Sequence, residues 1–215
     1  MRNILFVMVL FLAMPALAQN TWEIPQQQTE SAQKKAIVSP KKQQDGADAK
    51  YLAGAVTTDS NGSVVFQAEY DAPGLSAQQI YDRMLDLMTR LTQEPNQIKG
   101  SKVAIVNKDS HVIVTTFKEW LVFQRAALSL DQTEFHYTLV ITCTDGHVKA
   151  EMTRMRYLYE MDREGGFNSP ANEVITDEWA LNKKKTKLAK YYGKFRKKTI
   201  DRKDNLFGQI EAALH

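Results

Sequence analysis

The sequence predicts an α+β domain: an antiparallel sheet of about six strands with helices packed on one face. Three observations carry this. Four strand-like segments follow one another between residues 101 and 160, joined by short polar connections. A long apolar stripe at helical spacing precedes them, and a second one closes the chain. The order reads ββ-α-ββββ-α, with helices segregated from an antiparallel sheet rather than alternating with parallel strands.

Each element has a local reason. "YLAGAVTT" and "VVFQAEYDA" flank "DSNGS", and Asn61-Gly62 suits a turn that needs positive φ, so the pair reads as a hairpin. Ser76 is a natural helix cap, with Gln79 placed to return the bond. Ile80, Met84, Leu87, Met88 and Leu91 then recur on one helical face, widened by Tyr81 and Leu85, and Pro95 lies beyond the end. "SKVAIVNKD" and "HVIVTTFKEWLVFQR" meet at Asp109-Ser110; "TEFHYTLVITCT" and "HVKAEMTRMRYLYE" meet at Asp145-Gly146. Such short connections between sequential strands imply an antiparallel meander. In the last strand the apolar parity changes, from Val148, Ala150 and Met152 to Met155, Tyr157 and Tyr159, which predicts a bulge near Arg154. Ser169-Pro170 reads as a helix start. Leu206, Phe207, Ile210 and Leu214 predict a closing helix, capped by Thr199 or Asp201.

The N-terminus sets the expected compartment. Arg2 precedes an apolar run over residues 4–14, Pro15 breaks it, and Ala16-Leu17-Ala18 gives the small-x-small pattern of a signal peptidase site. The run is too short to span a bilayer core, which takes about 20 residues. The expectation is a signal peptide over residues 1–18 and an exported protein, periplasmic or secreted. No Cys follows the run to take a lipid anchor. Residues 19–50 are rich in Gln, Lys, Ala and Ser and read as a flexible polar leader. Residues 51–215 suffice for one α+β domain with a single core. The one cysteine, Cys143, falls on the apolar face of its strand and reads as a small buried hydrophobe.

The stretches "EPNQ" at Glu94, "EWLVF" at Glu119, "ALSLD" at Ala127, "EMTR" at Glu151, "ITDE" at Ile175 and "ALNKKKTKL" at Ala180 resemble the domain-of-unknown-function family 4468. The resemblance extends over about residues 50–214, in many ordered segments. It implies an exported protein of Bacteroidota with a fold like that of the TATA-box-binding protein. It carries no catalytic residues over, and the TATA-box comparison concerns shape alone.

No motif points to chemistry. His111, His136, His147 and His215 lack metal-ligand spacing, and HExxH, GxSxG, GxGxxG and P-loop patterns are missing. The expectation is no cofactor and no metal. Glu119, Asp131, Glu134 and Glu151 lie on or near strands beside Arg125, Arg154 and Arg156, and read as cross-strand ion pairs rather than catalytic acids.

Two features suggest binding. Trp120 and Phe123 point to opposite faces of their strand, Phe135 and Tyr137 share a face, and Tyr157 and Tyr159 lie on the last strand. One set of aromatics should form the core; the other is covered by residues 160–192 or lines a cleft. Trp120, Tyr157, Tyr159, Arg154 and Arg156 are the candidate ligand-binding residues. Residues 182–203 form the second feature: 11 of 22 are Lys or Arg, in a chain of net charge only +3. Lys183, Lys184, Lys185, Lys187, Arg196, Lys197 and Lys198 are candidates for contact with an anionic surface, if the run is more than a solvated face. Export argues against nucleic acid as the partner. The reading is a non-enzymatic envelope module for a partner protein or a small apolar ligand. An envelope-surface adaptor using residues 182–203 and a hydrolase with an unrecognised site are the alternatives.

Overall fold

The structure is a computed structural model that describes residues 46–215. The signal-peptide expectation and nearly all of the leader therefore lie outside the described residues. Six strands and two long helices follow a short 3-10 helix, Gly46–Tyr51: β1 Phe66–Asp71, α1 Ala77–Leu91, β2 Lys102–Asn107, β3 Val112–Ala126, β4 Ser129–Thr144, β5 His147–Tyr159, β6 Phe167–Pro170 and α2 Gly193–Ala212. The sheet is antiparallel throughout, in the order β1-β5-β4-β3-β2. β6 pairs with residues 156–159 of β5, beyond the part that pairs with β1, so β1 and β6 follow one another along one edge. β2 forms the opposite edge.

Both helices lie on one face, as the α+β reading requires. α1 opens with the expected capping box between Ser76 and Gln79 and buries Ile80, Tyr81, Met84, Leu87, Met88 and Leu91. Burying each of the Ile, Leu and Met side chains among them contributes about 1.5–3 kcal/mol relative to exposure. Beneath them lie Ile113, Phe117, Phe135, Tyr137, Leu139, Ile141 and Cys143. Alternation of buried and exposed residues over 112–121 of β3 and 132–143 of β4 sets this face apart from the other. The parity change in β5 is a bulge: Arg154 takes a left-handed φ of 53°, and the register with β4 shifts between His136 and Thr138. That extra residue returns Met155, Tyr157 and Tyr159 to the core face.

Three local expectations are corrected. The first arm of the early hairpin is a single bridge, Thr58 to Val64, not a strand. The turn at Asn61-Gly62 forms, with φ 76° at Gly62, but Tyr51 belongs to the 3-10 helix, and its carbonyl and that of Leu52 accept from Arg196 rather than from a partner strand. The sixth strand is β6, whose Ser169 and Pro170 were expected to start a helix; a 3-10 turn, Ala171–Glu173, follows it. α2 begins at Gly193, six residues before Thr199, with Tyr192 at the cap and no capping side chain. Thr199 and Asp201 lie inside it, where the Thr199 hydroxyl meets the Tyr157 hydroxyl at 2.6 Å and Asp201 accepts from Tyr51. Gly193 permits the early start: a Cβ there would stand 2.7 Å from the Leu188 Cβ.

Candidate functional site

Among the described residues, no helix covers the face of the sheet turned away from α1 and α2. Along its parity in β3, β4 and β5, every residue is partly or wholly exposed. Most of these positions hold Thr, Lys, Glu, His and Val, the usual dressing of a solvated sheet face. Near the β3–β4 hairpin the character changes. Trp120 lies opposite Glu134 on β4, which lies opposite Leu158 on β5, so the three form one row across the sheet. Leu130 and the loop residue Met161 extend the row into a depression of about 300 Å³, rimmed by Glu134, Glu160, Asp162 and Arg163. Trp120 is 37% exposed, Leu130 48% and Met161 59%. Arg163 donates to Glu160 at 2.7 Å and His136 pairs with Glu134 at 3.1 Å, which orders part of the rim.

Trp120 lies on the outer face, opposite to Phe123, where no described helix covers it. Tyr157 and Tyr159 do not lie there: after the bulge both turn into the core. Tyr157 is fully buried, stacked on Phe135 at 5.0 Å, and burial pushes its hydroxyl pKa up. Tyr159 packs edge-on against Phe195 and donates to Asp131 at 3.0 Å. Phe123 also joins that core set, 4.6 Å from Phe195. The cleft is left to Trp120, and the aromatics divide very unequally between the faces. Arg154 and Arg156 are exposed on the outer side; Arg156 donates to the Asn168 side chain on β6, at 2.5 Å. Neither arginine lines the Trp120 depression. Leu130, Leu158 and Met161 were not singled out from sequence. Leu130 and Leu158 carry the outer parity once the bulge is counted, a usable signal; Met161 has none.

The carboxylates are engaged. Glu119 is fully buried on the helix side, where its two oxygens accept from Arg202, Tyr137, Asn96 and Gln97. Arg202 also reaches Glu94 at 2.7 Å. Asp131 accepts from Lys194 and Tyr159, and Glu151 from Gln67. The expected cross-strand pairing on a solvated face therefore fails for Glu119, whose parity is that of Phe117 and Leu121. Among the described residues no cluster of His, Cys, Asp and Glu could hold a metal ion, and no helix is long and apolar enough to cross a membrane.

The basic run divides. Lys183, Lys184, Lys185 and Lys187 are exposed on the connection before α2. Lys197 is exposed and Lys198 half-buried on α2, with the Lys197 ammonium 5.1 Å above the Tyr51 ring. Arg196 is corrected outright as a surface candidate: it is fully buried, donating to the carbonyls of Tyr51 at 2.6 Å, Leu52 at 2.6 Å and Ile175 at 2.8 Å, and pairing with Asp177 at 2.7 Å. It staples three chain segments together. Burial pulls its pKa down and the Asp177 carboxylate opposes that shift.

Residues 66–158 match the family model described as "Domain of unknown function (DUF4468) with TBP-like fold". Among solved structures the chain is similar to a DUF4468 family protein from Bacteroides ovatus ATCC 8483, at 38% identity and a TM-score of 0.71, over 78% of this chain and 94% of that one. It is also similar to a TBP-like protein from Parabacteroides distasonis ATCC 8503, at 21% identity and a TM-score of 0.58, over 73% of this chain and 95% of that one, a likeness of fold alone. No curated protein matches it. By sequence identity over nearly the whole of a solved relative, and by an antiparallel six-stranded sheet under two helices, the chain belongs to the DUF4468 family of TBP-like fold.

Proposed function

We propose that the chain is a non-enzymatic binding module of the cell envelope, exported by its N-terminal apolar segment, and that it holds a partner protein on its open sheet face around Trp120. The observation that carries this is the depression of Trp120, Leu130, Leu158 and Met161 on a face that no described helix covers. A large indole with aliphatic neighbours and charged residues beside them matches the composition of interface anchors. At about 300 Å³ and open to one side, the depression is at the small end for burying a ligand whole, so a protruding apolar side chain of a protein fits better than a free small molecule.

The test is crosslinking in the producing cell. A photo-reactive residue at Leu130 should give a discrete adduct in the envelope fraction, and one at Gln78, exposed on α1, should not. Equal labelling from both positions, or no adduct from Leu130, would count against the proposal. Fractionation of the same cells checks export: material lacking residues 2–18 should stay in the cytoplasm.

A further inference from the structure

The fold sorts the cations of residues 182–203 into a group engaged in ion pairs and a group exposed before α2, with Lys197 and Lys198 on α2 outside both. Lys194, Arg196 and Arg202 are committed to Asp131, Asp177 and the Glu94–Glu119 pair, and Lys203 to Asp204. Lys183, Lys184, Lys185, Lys187 and Lys190 are all exposed, and none makes an ion pair among the described residues.

Lys183, Lys184, Lys185 and Lys187 stand on a built turn, and Lys190 follows its closing residue, Ala189. Leu181 and Leu188 bridge in antiparallel fashion, and Ala189 donates its N–H to the Ala180 carbonyl at 2.8 Å. The Asn182 N–H donates to the Lys187 carbonyl at 2.9 Å. The Asn182 side-chain oxygen accepts from the backbone N–H groups of Thr186 and Lys187, at 2.9 and 3.2 Å. Lys185, at the tip, takes a φ of 54°. Holding several ammonium groups on one turn stores repulsion that an anionic surface relieves. Trp179 and Tyr191, 45% and 46% exposed, flank the turn and both pack edge-on against Tyr192. Trp179 and Lys185 line one open depression; of its acids, Asp177 is neutralised by Arg196, while Glu173 and Glu178 complete the wall.

We propose that this lysine turn, with Trp179 and Tyr191, is a docking surface for an anionic phospholipid bilayer. Lysines are flexible point charges without the fork that reads a single carboxylate or phosphate, so they suit a diffuse array of headgroups. Indole and phenol rings settle at headgroup depth, where an apolar body and a polar edge are both satisfied. The surface uses different residues from the Trp120 depression and does not depend on it.

The experiment is vesicle co-sedimentation of the chain from Gln19 onward, which keeps all described residues and lacks the apolar run 4–14. It compares vesicles containing phosphatidylglycerol with neutral phosphatidylcholine vesicles. Binding to the anionic vesicles should fall steeply between about 50 mM and 500 mM salt. A lysine near such a surface is worth about fivefold in partition, so replacing Lys183, Lys184, Lys185 and Lys187 together by Gln should lower it about a hundredfold or more. Trp179→Ala should weaken partition while leaving the salt dependence in place. Equal binding to neutral vesicles, binding that survives high salt, or a fourfold variant that partitions like the parent would overturn the proposal. The salt series on the unaltered chain decides the matter even if the fourfold variant folds poorly.

Discussion

The Arg202 guanidinium on α2 grips both oxygens of the Glu119 carboxylate on β3, Nε to Oε1 at 2.9 Å and Nη2 to Oε2 at 2.8 Å. Glu119 is fully buried, and Asn96, Gln97 and Tyr137 fill its remaining acceptor positions. A buried pair adds little net stability over apolar packing, but removing one partner strands the other charge. Arg202→Met should therefore destabilise the domain by about 3–5 kcal/mol, and adding Glu119→Leu to it should recover much of the loss. Urea unfolding of the two single variants and the double variant measures this; strictly additive losses would contradict it.

Arg196 is structural in the same sense. Arg196→Lys keeps the charge but cannot serve three carbonyls and a carboxylate at once. Buried carbonyls left without donors should cost about 3 kcal/mol or more, read as a fall in Tm. Lys183→Gln, on the exposed turn, should leave Tm within a degree or two, about the scatter of surface substitutions.

The N-terminal 3-10 helix is clasped to α2 by Lys50, which pairs with Asp201 at 2.8 Å and Asp204 at 3.1 Å. Partial burial pushes the Asp201 carboxyl up, but hydrogen bonds from Lys50 and Tyr51 outweigh it and hold the pKa below its ordinary 3.8. A depressed folded pKa contributes stability above the unfolded value and loses it as the pH falls through the folded one. Lys50→Met should therefore lower stability at neutral pH, and the difference from the parent should shrink as the pH falls below about 4 and vanish only below the depressed Asp201 pKa. Denaturant midpoints across that range check the sign.

Cys143 is 1% exposed on the core face of β4, and burial pushes its thiol up to about 12. It should resist iodoacetamide in the folded protein at about pH 8 and react at once in denaturant. Labelling of the native chain at the rate of the unfolded one would contradict the burial.

Periodicity made much of this architecture legible. The Ser76 cap, the α1 stripe, the two tight turns and the Arg154 bulge all follow from residues within one element. What periodicity could not supply were relations between distant segments. Nothing near Tyr51 announces that Arg196, 145 positions on, will donate to its carbonyl. The charge of residues 182–203 conceals that α2 begins at Gly193 and faces some of its cations inward. Glu119 shares the parity of Phe117, yet a carboxylate reads as exposed until its arginine is placed. At the candidate site parity separates Trp120 from Phe123 without saying which of the two faces the helices, and it does not say to which side the bulge turns Tyr157 and Tyr159.

The measurement that tests the central claim most directly is crosslinking from Leu130 in a chain that also carries Trp120→Ala. Trp120 is half open on the outer face and supports no buried contact of the core, so the variant should keep the parent Tm. If the open face holds its partner through this indole, the Leu130 adduct disappears while the protein remains folded and exported. An adduct of undiminished yield would show that Trp120 anchors nothing, and the binding face would have to be sought elsewhere.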